Sequence, residues 1–488
     1  MGVGRLIGCV VSVLAAASAA CASAASAASI DRIEHIIVIY AENRSFDNLY
    51  GLYPGARGIK DALAHDVPQV DRNGAVLSAL PPVWSDKKDA GGTADPSYPT
   101  GLPNRPFRID RKPVAKPLSV PTRDLVHRFY QNQEQIDGGR NDRFAAVSDA
   151  GGLVMGYYDG SKLPMWSIAR RYTLADHAFM GAFGGSMLNH FWLVCACTPE
   201  FKDADASIRA TLDGEGRLAR KADSPASAMD GPPALADGAV TPDGYGVNTL
   251  QPPYQPSGIK PAADGDPLLA DPAAKMRMPP QTARTIGDAL SEKGVSWAWY
   301  AGAWNQALAD RAIIYDNGKV NFQPHHQPFN YFLRFAPGTA DRAEHLKDGG
   351  EFLRDIDAGT LPQVAFYKPQ GNLNEHPGYA EVLSGDRHIV SLIQRIQANT
   401  ALWRKTAIIV AYDENGGFWD HVPPPAGDRW GPGNRVPLII VSPFAKKRHV
   451  DHTQYDTTSI IKFITRRFAL EPLAGVRANA GDLTAAFE

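Results

Sequence analysis

The sequence predicts an α/β fold in which a central, mainly parallel sheet is flanked by helices. Two observations favour it: short, continuously apolar runs recur along the chain, and segments with helical spacing of apolar residues lie between them. A strand that is apolar on both faces is typical of a parallel sheet, because crossover helices cover both sides. With 488 residues, 44% hydrophobic and 21% charged, the chain is long enough for one large domain or two smaller ones.

The predicted strands are five apolar runs. The first, residues 36–40, reads IIVIY, and its β-branched residues favour an extended backbone. The other four are residues 295–300 (VSWAWY), 364–367 (VAFY), 407–412 (AIIVAY) and 437–442 (PLIIVS).

The predicted helices lie between these runs. Residues 282–293 carry Ile286 and Leu290 at helical spacing, and Gly294 follows as a helix end. Residues 388–398 and 457–468 repeat the pattern with isoleucine. Strands that alternate with helices in this way predict βαβ units, and therefore a parallel sheet.

Two long segments, residues 60–120 and 200–280 approximately, interrupt the alternation. They are rich in Pro, Gly, Ala and Asp and show little periodicity. Loops of this length in a compact domain are usually lids or binding loops. We therefore predict a single domain over residues 29–488, in which these long Pro/Gly-rich insertions wall the active site.

The N-terminus predicts a signal peptide over residues 1–28. Arg5 is followed by a short apolar run and then by small residues with A-x-A spacing, which is typical of a secretory signal and its cleavage site. The alternative is an ordinary N-terminal helix. No other stretch approaches 18 consecutive apolar residues, so we expect a secreted or periplasmic protein whose mature form has no transmembrane segment.

The net charge bears on which partners the protein binds. The formal net charge is -2, with 50 basic and 52 acidic residues, which gives no electrostatic reason to expect a nucleic-acid partner. The oligomeric state has no indicator in the sequence.

Cys195 and Cys197 are separated by one residue, and we expect them to be buried small apolar residues and not a disulfide.

Acidic residues follow two of the predicted strands directly. Glu42 and Asn43 come after the first strand, and Asp413 and Glu414 come after the strand at 407–412. Ligands of open α/β sheets bind at the carboxyl ends of the strands, and oxygen donors of this kind suit a hard divalent cation. The alternatives are an ordinary turn capped by Ser45 and an exposed turn after Glu414.

A third motif, GAFGGSMLNH, places Ser186 after two glycines and before a helix-like apolar run. A hydroxyl at a helix N-terminus meets unpaired backbone N–H groups and the positive end of the helix dipole, which favour an alkoxide and a bound phosphate. The alternative is that Ser186 is only a helix cap.

Several histidines lie in loops and can contact a phosphoryl group or protonate a leaving oxygen. They are His127, the pair His325 and His326, and His376.

Together these motifs resemble the bacterial phosphoesterase family that includes acid phosphatase A and the phosphatidylcholine-cleaving phospholipases C, whose core is similar to that of alkaline phosphatases and sulfatases. Three segments carry the resemblance in the expected order: IEHIIVIYAENRSFDNLYG, GAFGGSMLNH and AYDENGGFWDHVPPP. The resemblance extends over residues 33–469 approximately and implies an alkaline-phosphatase-like fold.

The resemblance also implies one divalent metal ion. Its ligands would be Glu42, Asn43, Ser186, Asp413 and Glu414, with Ser186 also the nucleophile. Because these ligands are oxygens, we expect calcium, magnesium or manganese in preference to zinc. A histidine-rich second zinc site is not evident in the sequence, so a two-zinc mechanism is not expected.

The resemblance assigns the phosphoryl contacts to His127, Asn248, His326 and His376, with His325 just behind them. His326 or His376 would protonate the leaving oxygen.

We expect a secreted, metal-dependent acid phosphatase that hydrolyses phosphate monoesters through a phosphoserine, because Ser186 stands where the phospholipase branch typically has threonine. One alternative is a phospholipase C that binds phosphocholine head groups. Its choline could be held by an aromatic cluster of Trp297, Trp299, Tyr300 and Trp304, although strand packing also explains that cluster. The other is a non-enzymatic, metal-stabilised exported binding protein.

Overall fold

The computed structural model describes residues 30–65, 67–85, 92–317 and 320–488. The signal peptide predicted at 1–28 lies outside these residues. Within them, every helix is too short or too polar to cross a bilayer.

The strands in the described residues are numbered in chain order. They are β1 (His35–Ala41), β2 (Phe107–Arg108), β3 (Gly156–Tyr157), β4 (Thr173–Ala175), β5 (Ala178–Phe179), β6 (Trp297–Ala301), β7 (Leu346–Asp348), β8 (Val364–Lys368), β9 (Thr406–Tyr412), β10 (Leu438–Val441), β11 (His449–Asp451) and β12 (Tyr455–Asp456).

The α-helices in the same residues are numbered likewise. They are α1 (Phe46–Tyr50), α2 (Ile59–His65), α3 (Phe129–Ile136), α4 (Phe144–Val147), α5 (Pro164–Ala169), α6 (Ser186–Val194), α7 (Ile286–Glu292), α8 (Trp304–Ala309), α9 (Ala340–His345), α10 (Gly349–Ala358), α11 (Val382–Ala398), α12 (Thr400–Trp403) and α13 (Thr458–Phe468).

Eight strands form one sheet in the order β11-β4-β10-β9-β1-β8-β6-β7. Strand β1 pairs in parallel with β8 on one side and with β9 on the other. Strand β10 is antiparallel to both of its neighbours, β9 and β4, and the remaining pairings of this sheet are parallel. The prediction of a mainly parallel sheet is confirmed, and β10 is its one reversed strand among the described residues.

Helices cover both faces of the sheet. Alternate residues of β1 point to opposite sides: Ile36 and Val38 join one apolar core, and Ile37 and Ile39 join the other. Helices α6, α7 and α13 pack in the first core, whereas α1, α5, α10 and α11 pack in the second. This arrangement explains why the strand sequence is apolar without alternation, since both of its faces are buried.

The predicted helices are present, with shifted starts. Helix α7 begins after Thr285, whose side chain and that of Asp288 form a reciprocal capping box. Helix α11 begins at Val382, six residues before the predicted start. Its extra N-terminal residues include Gly385, which the apolar spacing did not indicate as helical.

The expectation for the two cysteines is wrong. Cys195 and Cys197 form a disulfide with a Cα–Cα distance of 5.1 Å, which lies within the range that disulfides require. Ala196 between them has a positive φ of 48°, and this left-handed residue turns the chain so that both side chains can meet.

The two long insertions differ in their relation to the sheet. Both contain little regular secondary structure in their described residues. Val247, Asn248 and Thr249 of the second segment line the cavity that leads to Ser186. No described residue of the first segment lines it, so only the second segment contributes to this wall.

Candidate active site

The site lies at the carboxyl edge of the three central strands. In the register of the sheet, Ala41 of β1 is paired with Tyr412 of β9, so the residues that follow these strands are neighbours. Glu42 and Asp413 are therefore brought together although they are far apart in sequence. Lys368 ends β8, the strand on the other side of β1, and also reaches this edge.

The turn after β1 aims its polar side chains at the site. Asn43 adopts a left-handed backbone with φ of 59°. Ser45 caps α1, since its hydroxyl accepts a hydrogen bond from the backbone N–H of Asn48 at 3.2 Å. The loop after β9 packs directly on this turn: a Cβ added to Gly416 would lie 2.2 Å from the carbonyl oxygen of Asn43. The close approach explains why glycine is needed there.

Ser186 is the first residue of α6, and it is preceded by Gly185 as the N-cap residue. Its side-chain oxygen lies 3.2 Å from Oδ1 of Asn43 and 3.2 Å from Oε1 of Glu414. Oxygen ligands at right angles around a hard divalent cation, each roughly 2.1–2.5 Å from it, are roughly 3.0–3.5 Å apart. The two distances from the Ser186 oxygen therefore suit ligands that share a cation.

Asp413 and Glu414 are fully buried beside each other. Burial raises the pKa of Asp413 to about 6, although Lys368 opposes the shift. Burial also raises the pKa of Glu414 to about 8, with His127 opposing and Asp413 adding to the shift. Since burial is the main cause of both shifts, the ionised form of each carboxylate is unfavourable here unless a cation compensates it, which is a property of a cation site.

Glu42 has a different environment because each of its carboxylate oxygens has a protein partner. Oε1 lies 2.8 Å from Nζ of Lys368 and also contacts Nε2 of His326. Oε2 accepts hydrogen bonds from Asn374 at 2.6 Å and from Tyr379 at 3.1 Å. Burial alone would raise the pKa of Glu42, but the neighbouring His326 and Lys368 hold this pKa well below its usual value.

Lys368 was not predicted from the sequence. Its side chain is fully buried and its ammonium bridges two of the predicted metal ligands, at 2.8 Å from Glu42 and 3.4 Å from Asp413. The available signal was a charged residue directly after the predicted strand at 364–367, the same signal that identified the two acidic motifs.

His127 stands beside Ser186. Its Nε2 lies 3.6 Å from Oε1 of Glu414, and its Nδ1 lies 2.5 Å from the carbonyl oxygen of Leu125. Burial alone would lower the pKa of His127, but the neighbouring carboxylates of Glu414 and Asp124 raise this pKa to about 9.

The other three histidines are less basic. Burial lowers the pKa of His326 to about 4 and also lowers those of His325 and His376. The carbonyl oxygen of His326 accepts a hydrogen bond from the indole of Trp299 at 2.7 Å, which fixes the loop that carries both histidines. His376 packs its ring on Tyr379, and the ring centroids are 4.4 Å apart.

Asn248 lines the cavity, and its side chain also forms hydrogen bonds with neighbouring backbone groups. Its Oδ1 accepts a hydrogen bond from the backbone N–H of Phe129 at 3.0 Å, and its Nδ2 donates to the carbonyl oxygen of Gly238 at 2.7 Å. It therefore joins the second insertion to the segment that carries His127.

A cavity of about 430 Å³ opens onto Ser186. Its walls include three of the four predicted phosphoryl contacts, His127, Asn248 and His376, and also His325. The fourth, His326, does not line the cavity and lies against Glu42. The other predicted metal ligands, Glu42, Asn43, Asp413 and Glu414, are fully buried behind Ser186 and do not line it either.

The aromatic cluster near β6 does not face this cavity. Trp297, Trp299, Tyr300 and Trp304 are all at most 3% exposed, and none lines the cavity. Strand packing, and not choline binding, explains them.

Two groups in the described residues that could hold a metal ion with His and acidic ligands lie at this site. One is Glu42 with His325 and His326, and the other is Asp124 with His127 and His376. Two further groups lie outside the predicted site: Asp176 with His177 and His452, and Asp47 with Asp420 and His421.

Comparison with known proteins gives the family. A sequence model of the phosphoesterase family matches residues 33–471. Phospholipase C B of Mycobacterium tuberculosis is 26% identical over 93% of this chain and 77% of its own length. The non-hemolytic phospholipase C of Pseudomonas aeruginosa is 25% identical over 93% of this chain, which spans 57% of that protein.

Solved structures show more distant similarity. The phosphonate monoester hydrolase of Agrobacterium radiobacter aligns over 93% of this chain and 77% of its own with a TM-score of 0.35 and 10% identity. A protein of the alkaline phosphatase superfamily from Vibrio parahaemolyticus aligns over 78% of this chain and 75% of its own with a TM-score of 0.34 and 11% identity. The family model nevertheless spans most of the sequence, and the chain is a member of the phosphoesterase family, a hydrolase that acts on phosphoric ester bonds.

Proposed function

We propose that this protein is an exported, metal-dependent phospholipase C that cleaves the phosphodiester bond between a lipid and its head group, with Ser186 as the nucleophile. One observation carries the proposal: the Ser186 hydroxyl stands at a helix N-terminus, at the end of a cavity, 3.2 Å from two oxygen donors of buried side chains. The names of the bacterial relatives support the choice of phospholipids as substrates.

The position of Ser186 suits a nucleophile. The first N–H groups of a helix have no partner inside the helix, and together with the helix dipole they attract negative charge. A phosphoryl group next to Ser186 would receive hydrogen bonds from these N–H groups. The serine oxygen would form a bond to phosphorus while the bond to the leaving alcohol breaks, and water would then hydrolyse the phosphoserine.

The proposed ligands of the metal ion are Asn43, Ser186, Asp413 and Glu414, with Glu42 beside them. They fit a hard divalent cation such as calcium, magnesium or manganese, since all of their donor atoms are oxygens and burial makes the ionised carboxylates unfavourable without a cation. When bound, such a cation lowers the pKa of the serine hydroxyl and neutralises charge on the phosphoryl group.

The histidines would act on the substrate side. His127 and His376 line the cavity and would donate hydrogen bonds to phosphoryl oxygens, together with Asn248. Of the two histidines expected to protonate the leaving oxygen, His376 is the better placed. It faces the cavity, whereas His326 is 2% exposed and lies against Glu42.

A second candidate is an acid phosphatase that hydrolyses phosphate monoesters. The observation in its favour is Ser186 itself, since the phospholipases that the sequence resembles typically have threonine as the nucleophile. The described cavity walls also contain only two aromatic residues besides histidine, Tyr315 and Tyr379, which is few for recognition of a quaternary ammonium.

A substrate panel separates the two candidates. We expect hydrolysis of p-nitrophenyl phosphorylcholine to exceed that of p-nitrophenyl phosphate, and EDTA to abolish both activities. Faster turnover of the monoester would favour the phosphatase, and full activity after metal removal would contradict metal dependence.

The nucleophile is tested by Ser186→Ala, with the exposed Ser161→Ala as the matched control. We expect Ser186→Ala to keep the fold and its metal ion but to lose on the order of a thousandfold or more in kcat. Turnover by this variant at a near wild-type rate would show that another group attacks phosphorus.

A further inference from the structure

Lys368 is a buried cation in a place where the proposed mechanism does not use one. Its side chain has no solvent exposure, and it lies at the end of β8 between Tyr40 of β1 and Asp413 after β9. An ammonium group is removed from water only where carboxylates compensate it. Here Glu42 lies at 2.8 Å and Asp413 at 3.4 Å.

Glu42 also belongs to a group of potential metal ligands with His325 and His326. The three residues are buried and offer ligand atoms within 4.8 Å of one another. Oε1 of Glu42, the oxygen that contacts Lys368, also contacts His326. Within the part of the chain that the structure describes, Nδ1 of His325 has no hydrogen-bond partner. Nε2 of His326 contacts the Glu42 carboxylate. By ligand type and spacing, this group would suit a zinc ion.

The ammonium of Lys368 stands in the way of such an ion. A cation held by Oε1 of Glu42 would lie within a few ångströms of the ammonium that contacts the same oxygen. Repulsion between like charges a few ångströms apart is strong in a buried site, where water does not screen it, and it doubles for a divalent ion. The lysine also neutralises the charge that would attract the ion.

We propose that Lys368 serves as a built-in second cation of the active site. It balances Glu42 and Asp413, holds the two strand ends together, and keeps the group of Glu42, His325 and His326 free of metal. The site then takes its single divalent ion on the other side of Asp413, beside Ser186. This inference rests on the metal site of the proposed function, and it makes Lys368 a positioning residue that acts through the two carboxylates.

The test compares variants of Lys368 that remove or retain its positive charge. Lys368→Met removes the ammonium from a side chain of similar length, and Lys368→Arg retains a positive charge. Lys347→Met, on the edge strand β7 of the same sheet, is the matched control for the substitution itself. Each protein is stripped of metal with chelator, dialysed against zinc chloride, and analysed for zinc per chain and for ion positions by anomalous diffraction.

We expect wild type, Lys347→Met and Lys368→Arg to show no ion at the group of Glu42, His325 and His326. Lys368→Met is expected to show an ion there and to retain one more zinc per chain than wild type. An ion at that group in wild type would overturn the inference even if Lys368→Met failed to fold, and so would an unchanged zinc count in a folded Lys368→Met. The absence of any ion beside Asn43 and Glu414 in wild-type crystals soaked in manganese chloride would instead refute the proposed metal site.

Discussion

Replacement of Glu414 by glutamine is expected to stabilise the metal-free protein while removing its response to metal. In the metal-free structure, burial raises the pKa of Glu414 from 4.5 to about 8. At pH 7 the folded protein therefore holds a proton on this carboxyl that the unfolded chain does not. Glutamine is neutral in both states, so this difference disappears in the variant.

The magnitude follows from proton linkage. Because the folded pKa is raised, the stabilising contribution of Glu414 is complete below its unfolded pKa and is lost as the pH rises through about 8. Relative to glutamine, ionisable Glu414 lowers the stability of the metal-free protein at pH 7 by about 3 kcal/mol, from the roughly 2.5 pH units between its unfolded pKa of 4.5 and pH 7, at about 1.4 kcal/mol each. For a chain of this size, an unfolding entropy of about 2 cal/mol/K per residue converts this into roughly 3 °C.

The assay is thermal unfolding of wild type and Glu414→Gln at pH 5, 7 and 9, in EDTA and in manganese chloride, with the exposed Glu344→Gln as control. In EDTA, wild type should lose stability from pH 5 to pH 9 relative to the variant. In manganese, wild type should gain in Tm by ligand linkage, and the variant should gain little. A variant that is less stable than wild type in EDTA at pH 7, or that responds to manganese as wild type does, would refute this reasoning.

Two further predictions concern other parts of the molecule. His376→Asn should lower kcat on the order of a hundredfold, since it removes one phosphoryl contact from the cavity wall, while the bound metal per chain stays constant. Wild-type kinetics in this variant would show that His376 does not contact the substrate. Burial raises the pKa of Asp386 to about 7, and its Oδ2 has no hydrogen-bond partner, so wild-type stability should fall as the pH rises from 4 through 7. Asp386→Asn should flatten that part of the urea-unfolding profile by a few kcal/mol, and an unchanged profile would place the titration elsewhere.

The fold was predictable because its strands are apolar on both faces. That pattern identified β1, β6, β8, β9 and β10, and the alternation with helices gave the parallel arrangement. The reversed direction of β10 was not predictable, since a buried strand has the same composition in either direction.

The candidate site was predictable in part. Glu42 and Asp413 stand directly after apolar strands, so their convergence followed from strand pairing. The pairing of Cys195 with Cys197 was missed because it depends on the left-handed backbone of Ala196, which nothing in the residue type indicates. Lys368 was missed because a single lysine after a strand is usually a solvated residue, and only the three-dimensional order of the strands places it between two carboxylates.

The position of β1 between β8 and β9 has a consequence for synthesis. This early strand cannot pair with β8 until about 330 further residues have been made, or with β9 until about 370, which takes roughly 16 to 75 s at typical translation rates. During that time IIVIY is an unprotected, aggregation-prone segment. A fragment that stops before β9 would keep one flank of β1 open for good, so the molecule must be completed before its centre can close.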